Sequence, residues 1–233
     1  EKIKHKCVNY KKWSLDIHHY FKSALEKLSM KSYPDLIKGV RGTSNEEHVP
    51  EHLIKGILRA CYGLYVNKDG TIRYDMTETV ITHFVPHEIG VSLEKLRSLG
   101  YTIDIYGEEL TKSDQILEIK PQDVILPSCD KSLNERADDV FIHVAQFIDD
   151  LLVKLYGLSK YYQVKKREDL IGHLVACIAP HNCACVVGRI IGFSKVQALL
   201  ASPYMHAAMR RDCDGDEAAV MLLMDMLLNF SRE

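Results

Sequence analysis

The chain has 233 residues, 46% of them hydrophobic and 27% charged, with a formal net charge of -2. Those proportions suit a globular protein of one large or two small domains, and the near-neutral balance excludes the uniformly basic kind of nucleic-acid binder. No apolar run reaches the roughly 18 residues that a bilayer span needs, and no signal-peptide pattern opens the chain, so an intracellular protein with no membrane partner is expected. Seven cysteines, an odd number without small-scaffold spacing, point to reduced thiols. A first residue Glu1 and a last residue Glu233 in or just after a helical run suggest a piece of something longer. Charge is uneven: residues 1–60 hold twelve Lys and Arg against seven Asp and Glu, a solvated basic face or an approach to a polyanion.

In chain order, Leu15, Tyr20, Phe21, Leu25 and Leu28 recur at helical spacing, predicting a helix over 14–30 with Ser14 as N-cap. Trp13, just before it, is expected in the core or an interface. After Pro34 and the 39–42 glycine region, a second short helix is predicted over 50–61, with Pro50 in its first turn. Together these make an N-terminal helical, locally basic segment, 1–62. In the segment 63–127 the texture turns mixed. Leu64 to Val66 and Thr71 to Tyr74 flank an Asn67-Lys68-Asp69-Gly70 turn and read as a hairpin. Thr79 to Phe84 is a β-branched run stopped by Pro86, and Ser92 to Leu99 reads as a helix closed by Gly100. Residues 101–106, 116–119 and 123–126 are strand candidates.

Residues 128–163 form a polar connection, 128–139, and then an amphipathic helix. In that helix Val140, Val144, Phe147, Ile148, Leu151, Leu152 and Leu155 repeat at three- and four-residue steps up to Gly157. From 164 to 233 the chain is apolar and glycine-punctuated: small strands are expected near 174–178 and 186–193, and a final apolar helix over 217–230.

The densest chemistry lies in Arg210-Arg211-Asp212-Cys213-Asp214-Gly215-Asp216-Glu217. In an extended segment the side chains of Asp212, Asp214 and Asp216 leave the backbone on one side and converge. Three carboxylates cannot all stay ionised so close together without a cation, and oxygen ligands select Mg²⁺, Mn²⁺ or Ca²⁺ over zinc. A calcium loop of the EF-hand type is excluded by its own rule, since the sixth position is Glu217 where glycine is required and the twelfth is Leu223 where Glu is required. A structural calcium site of another kind, or a solvated acidic turn, stays open. The favoured reading is a catalytic Mg²⁺ site, with Mn²⁺ as a substitute, held by Asp214 and Asp216, and with Asp212 as a further metal candidate. Arg210 and Arg211 offer forked donors to phosphate oxygens, or else neutralise the acidic loop itself.

Outside the loop, Cys177, His181, Cys183 and Cys185 bring zinc-ligand types within nine residues, but without paired C-x₂-C spacing and inside an apolar stretch; packed thiols are the expectation. Gly188 to Gly192 has only two glycines and reads as a strand rather than a dinucleotide loop, with Arg189 a candidate for facing nucleic acid. His206, just upstream of the loop, is a candidate for touching nucleic acid or orienting the loop.

Several blocks together resemble the large, catalytic subunit of archaeal family D DNA polymerase. They are Arg210 to Glu217 with the following Met221-Leu222-Leu223 and Leu227 to Arg232; Gly188 to Phe193; Gly39-Val40-Arg41-Gly42; Lys55 to Ala60; Thr82-His83-Phe84 with Glu88 to Val91; and Asp123 to Pro127. The likeness runs from about Lys38 to the end. It implies membership of the two-barrel polymerase superfamily, an α+β fold in which a double-psi β-barrel with flanking helices carries the Asp-Gly-Asp loop. It further implies nucleotidyl transfer from a deoxynucleoside triphosphate to a primer 3′-hydroxyl with loss of pyrophosphate. Primer-template DNA, dNTP, the rest of the large subunit and a smaller partner subunit are the implied partners, and the cytoplasm, at the nucleoid, the implied location. Asp214 and Asp216 match the magnesium-holding positions. Where this chain has Asp212 the family usually has Asn, which leaves Asp212 a ligand, a supporting group or a neutral substitution. The contrasting reading is a noncatalytic, metal-stabilised nucleic-acid-binding or assembly module.

Overall fold

The computed structural model describes residues 14, 16–40, 51–130, 135–180, 182, 184–212 and 214–230. Helices and strands are mixed, and six strands close into a barrel, as the α+β expectation requires. The strands are β1 (Tyr74–Val80), β4 (Asp123–Pro127), β5 (Leu174–Ile178), β6 (Val186–Ser194), β7 (Leu199–Ala201) and β8 (Glu217–Leu222), in the order β1-β7-β4-β6-β5-β8. β8 pairs back onto β1 to close the ring. Two neighbour pairs, β1 with β7 and β4 with β6, run parallel, and the other four run antiparallel. A separate two-stranded sheet joins β2 (His83–Phe84) to β3 (Leu117–Glu118).

Closure buries both faces of most of the strands, so β4, β7 and β8 are continuously buried, whereas β1 alternates. In β4 and β8 nearly every residue is buried. The longest helix, α4 (Ala137–Lys154), lays Phe141, Val144, Phe147, Ile148, Leu151 and Leu152 against the outside of the barrel. β6 carries an extra residue opposite β4: Val124 pairs with Ile190, and Ile125 with Gly192. At this bulge Gly192 lies so close to Ile89 that a Cβ would sit 2.9 Å from the Cβ of Ile89.

Several expected elements change. The last predicted helix splits into strand β8 and a short helix, α6 (Leu223–Phe230), because an apolar run buried on all sides has no period that separates strand from helix. The predicted hairpin keeps its Asn67 to Gly70 turn, but neither 64–66 nor 71–73 forms a strand, and of the second run only Tyr74 joins one, β1. Asp69 accepts from the N–H of Thr71, and the N–H of Ile72 goes to the carboxylate of Asp225 at 2.9 Å instead of to a paired strand. Residues 101–106 form a turn, not a strand, since Asp104 accepts the N–H groups of Tyr106 and Glu108. β7 and a short helix, α5 (Pro203–Ala208), were not foreseen.

Helix α1 (Ile17–Leu28) is capped by Asp16, which accepts from His19 at 3.1 Å, rather than by Ser14. Helix α2 (Leu53–Cys61) begins at a His52 cap; Pro50, like Trp13, Arg41 and Gly42, lies outside the described residues. Helix α3 (Leu93–Ser98) is capped by Ser92 as predicted. Helix α4 takes in Ala137 to Asp139, assigned from sequence to the polar connection. Its first-turn Asp138 and Asp139 favour the positive end of the helix dipole, and Asp138 is buried against Arg136. No described helix is long and apolar enough to cross a membrane.

Candidate functional site

The acidic loop is positioned by the end of α5 and the start of β8. Ser202 caps α5, accepting from Met205, and Pro203 occupies its first turn. The helix then stops in a Schellman closure: Arg211 N–H donates to His206 C=O at 2.9 Å and Arg210 N–H to Ala207 C=O at 3.0 Å. Arg210 carries the left-handed turn at φ 60°, a position usually given to glycine and costing a side-chain-bearing residue about 1 kcal/mol. Its side chain is exposed.

Beyond this reversal the chain bends at Asp214 and Gly215. Gly215 has φ 111°, with open space where a Cβ would stand, so glycine answers to backbone conformation and not to crowding. The convergence expected of an extended segment is reached through a bend instead. One carboxylate oxygen from each of Asp212, Asp214 and Asp216 lies within 4.8 Å of the others. Among the described residues this is the one group of three or more His, Cys, Asp or Glu near enough to share an ion. The loop's exit is pinned where Asp216 C=O accepts the Glu78 N–H at 3.0 Å, one step before the β1–β8 ladder takes over at Thr77 and Glu217.

The electrostatics beneath the loop come from β1 and β5. Arg211 donates to the Asp216 carboxylate and, at 3.1 Å, to the C=O of Pro180 just past β5. Its Nε stands 3.8 Å from Oε1 of Glu78, whose side chain is 0% exposed. His206, also buried, faces the other Glu78 oxygen through Nδ1 at 3.7 Å. Its Nε2 is 3.2 Å from the C=O of Thr79, and because a carbonyl only accepts, Nε2 carries the proton. Burial holds the His206 imidazole below its ordinary pKa. Burial likewise pushes the Glu78 carboxyl up to about 7; Arg211 opposes this, while the charges of Asp216, Asp212 and Asp214 add to it.

The predicted site residues thus separate. Asp212, Asp214, Asp216 and Arg211 share one neighbourhood, and Arg210 sits at the entrance to the loop. His206 lies underneath, against Glu78 and Thr79. Arg189 is elsewhere: its register partner on β5 is Leu174, level with the Leu222 end of β8, and both its Nε and an Nη bond Asp123 at 2.8 Å. Of the zinc candidates, His181 and Cys183 lie outside the described residues. Cys177 is fully buried with its thiol pushed up to about 12, and Cys185 donates to Met226 Sδ at 3.5 Å.

Glu78 was missed from sequence. The available signal was phase: within β1, Met76 and Glu78 are the buried positions, so a carboxylate occupies an apolar register.

The donor set fits a hard divalent cation. All three converging groups offer carboxylate oxygen, two of them exposed, and no thiol or imidazole reaches them among the described residues.

A family model described as DNA polymerase II large subunit DP2, catalytic domain, matches residues 29–233. The chain is 51% identical to the DNA polymerase II large subunit of Nanoarchaeum equitans, over 99% of this chain and 20% of that protein. It is 52% identical to the one of Archaeoglobus fulgidus, over 97% and 19%, and 56% identical to the one of Pyrococcus furiosus, over 85% and 15%. The chain therefore spans about a fifth of the length of these relatives.

Proposed function

The chain belongs to the DNA polymerase II large subunit catalytic-domain family, and from that premise we propose that it carries the cation-holding part of a DNA-directed DNA polymerase active site. The observation that supports this most directly is the convergence of Asp212, Asp214 and Asp216 on an open loop at the edge of a closed barrel.

In this reading Asp214 and Asp216, with Asp212 beside them, hold Mg²⁺, for which Mn²⁺ can substitute. A bound Mg²⁺ supplies positive charge to the α-phosphate and makes the primer 3′-hydroxyl easier to deprotonate. The 3′-hydroxyl gives up its proton to solvent as its oxygen bonds to the α-phosphorus, the bond to the bridging oxygen breaks, and pyrophosphate leaves with that electron pair. The protein's part is to fix the carboxylates. The Schellman closure aims the loop, the Glu78 N–H holds its exit, and the barrel ladder prevents the aspartates from spreading. Arg210, exposed at the loop entrance, is suited to a phosphate oxygen of DNA or dNTP. The rest of the large subunit and a smaller subunit complete the enzyme, which works in the cytoplasm at the nucleoid.

A metal-stabilised module without catalysis is the contrasting reading. It calls for an enclosed site with further oxygen ligands, whereas Asp212 and Asp214 are exposed. Primer extension by the full-length parent enzyme decides between them. Asp214→Ala and Asp216→Ala are each expected to lower the rate by about a thousandfold or more. Undiminished synthesis in both variants would reject the assignment.

A further inference from the structure

Four buried polar atoms behind the acidic loop lack hydrogen-bond partners among the described residues: both carboxylate oxygens of Glu78, Nδ1 of His206 and Nε of Arg211. They face one another across gaps of 3.7 and 3.8 Å, about 1 Å longer than a hydrogen bond. Buried carboxylates are rarely left this way, because an unpaired charge away from water is costly. His206 cannot close its gap as a neutral donor, since its proton is on Nε2 at the Thr79 carbonyl. Among the described residues that leaves Arg211 as the N–H donor within reach of Glu78.

Arg211 meanwhile bonds Asp216, a member of the triad, so that its guanidinium neutralises the loop as a divalent cation would. The two positive charges compete for one carboxylate. A cation on Asp216 repels Arg211, and the nearest alternative acceptor is the unpartnered Glu78 on the other side of the same guanidinium.

We propose that Glu78 is a positioning residue that takes over Arg211 when a divalent cation binds the acidic loop. Arg211 has two stations, Asp216 in the cation-free loop and Glu78 in the loaded loop, and the Pro180 C=O serves as the pivot it keeps in both. Without Glu78 the arginine keeps Asp216 as its carboxylate partner, and it holds the cation's place. The inference rests on the reading of the loop as a cation site.

The test is a Mn²⁺ titration of the full-length parent enzyme, free Mn²⁺ being followed by electron paramagnetic resonance. The Asp214→Ala/Asp216→Ala variant serves to subtract ions bound elsewhere. Glu78→Gln keeps the shape and removes the charge, and is expected to weaken Mn²⁺ binding at the loop about fivefold or more. Arg211→Ala removes the competitor and is expected to tighten it. The double variant is the discriminating one. If Glu78 acts by holding Arg211, the Glu78→Gln loss disappears once Arg211 is absent; if Glu78 contributes only its negative field, the same loss persists and the proposal is overturned. Should Glu78→Gln fail to fold, Arg211→Ala alone decides, with unchanged or weaker Mn²⁺ binding overturning the proposal. Mn²⁺ binding identical in the wild type and the Asp214→Ala/Asp216→Ala variant would instead remove the cation site itself, and with it the functional reading.

Discussion

Asp225 is 3% exposed in α6, and its environment predicts a particular dependence of stability on pH. One oxygen accepts the Ile72 N–H at 2.9 Å. The nearest buried cation, Arg59, is already engaged by both oxygens of Glu51 and by the Lys38 C=O. Burial therefore outweighs the pull of Arg59 and Lys55, helped by the charge of Asp69, and raises the Asp225 carboxyl from its ordinary 3.8 to about 7. At about 1.4 kcal/mol per tenfold, that displacement corresponds to about 4 kcal/mol between the protonated and ionised folded forms.

The sign follows from proton counting. Between about pH 4 and pH 7 the folded chain keeps a proton on Asp225 that the unfolded chain has lost, so this group's contribution to stability falls as pH rises through the window and is flat above it. Asp225→Asn keeps the amide–carbonyl bond to Ile72 and removes the titration. The stability of the variant relative to wild type should therefore improve by up to about 4 kcal/mol from pH 4 to pH 7.5. Urea unfolding of both proteins at a series of pH values measures this difference, and hydrogen exchange at the Ile72 amide reports the same site locally. A difference that stays constant over the window would mean that Asp225 is ionised in the fold and that Arg59 and Lys55, not burial, govern it.

Two packing predictions follow from the same coordinates. Gly192→Ala drives a methyl to 2.8–3.0 Å from Ile89, including its Cβ, which no rotamer can move; the cost is about 1–3 kcal/mol, read as a fall in Tm of about 2–4 °C per kcal/mol. Gly188→Ala, whose nearest contacts are 3.2 Å and include the mobile Met205 Cε, should cost less in the same melt. Asp149→Ala orphans three backbone N–H groups, those of Tyr161, Tyr162 and Gln163, which the carboxylate accepts at 2.7–2.8 Å. At roughly 1–3 kcal/mol for the buried donor of Tyr162, and less for those of the exposed Tyr161 and Gln163, it should destabilise by about 2–3 kcal/mol. Loss of amide protection confined to residues 161–163 would be its signature.

Helices α1 to α4 and the convergence of the loop were legible in the sequence for a shared reason: their information is local. A 3.6-residue apolar period marks the face of α4 that meets the barrel, and Ser92 caps α3 three residues before the amide it accepts. The acidic loop declares itself because alternate carboxylates around a glycine have few structural uses. The barrel was less legible. β8 and β4 are buried on both faces and show no alternation, and in the hairpin expected at 64–74 the Ile72 N–H of the second run goes to a carboxylate 153 residues away.

What surrounds the aspartates is non-local by construction. Glu78 comes from β1, Pro180 from the end of β5, and His206 and Arg211 from either side of the α5 terminus; only ring closure brings them within 4 Å of one another or of the loop. Two ladders fix the spacing: β1–β8 sets Glu78 beside the Asp216 backbone, and β5–β8 sets Pro180 beyond Ile178 and Ala219. A polar residue in an apolar register, as Glu78 is after Met76, costs stability unless the closed fold supplies it with a partner. Here the fold sets Arg211, which bonds Asp216, 3.8 Å from the Glu78 carboxylate. The barrel thus does more than present an acidic loop: it sets that loop and a buried carboxylate on either side of a single arginine, and the proposed control of cation binding rests on this arrangement.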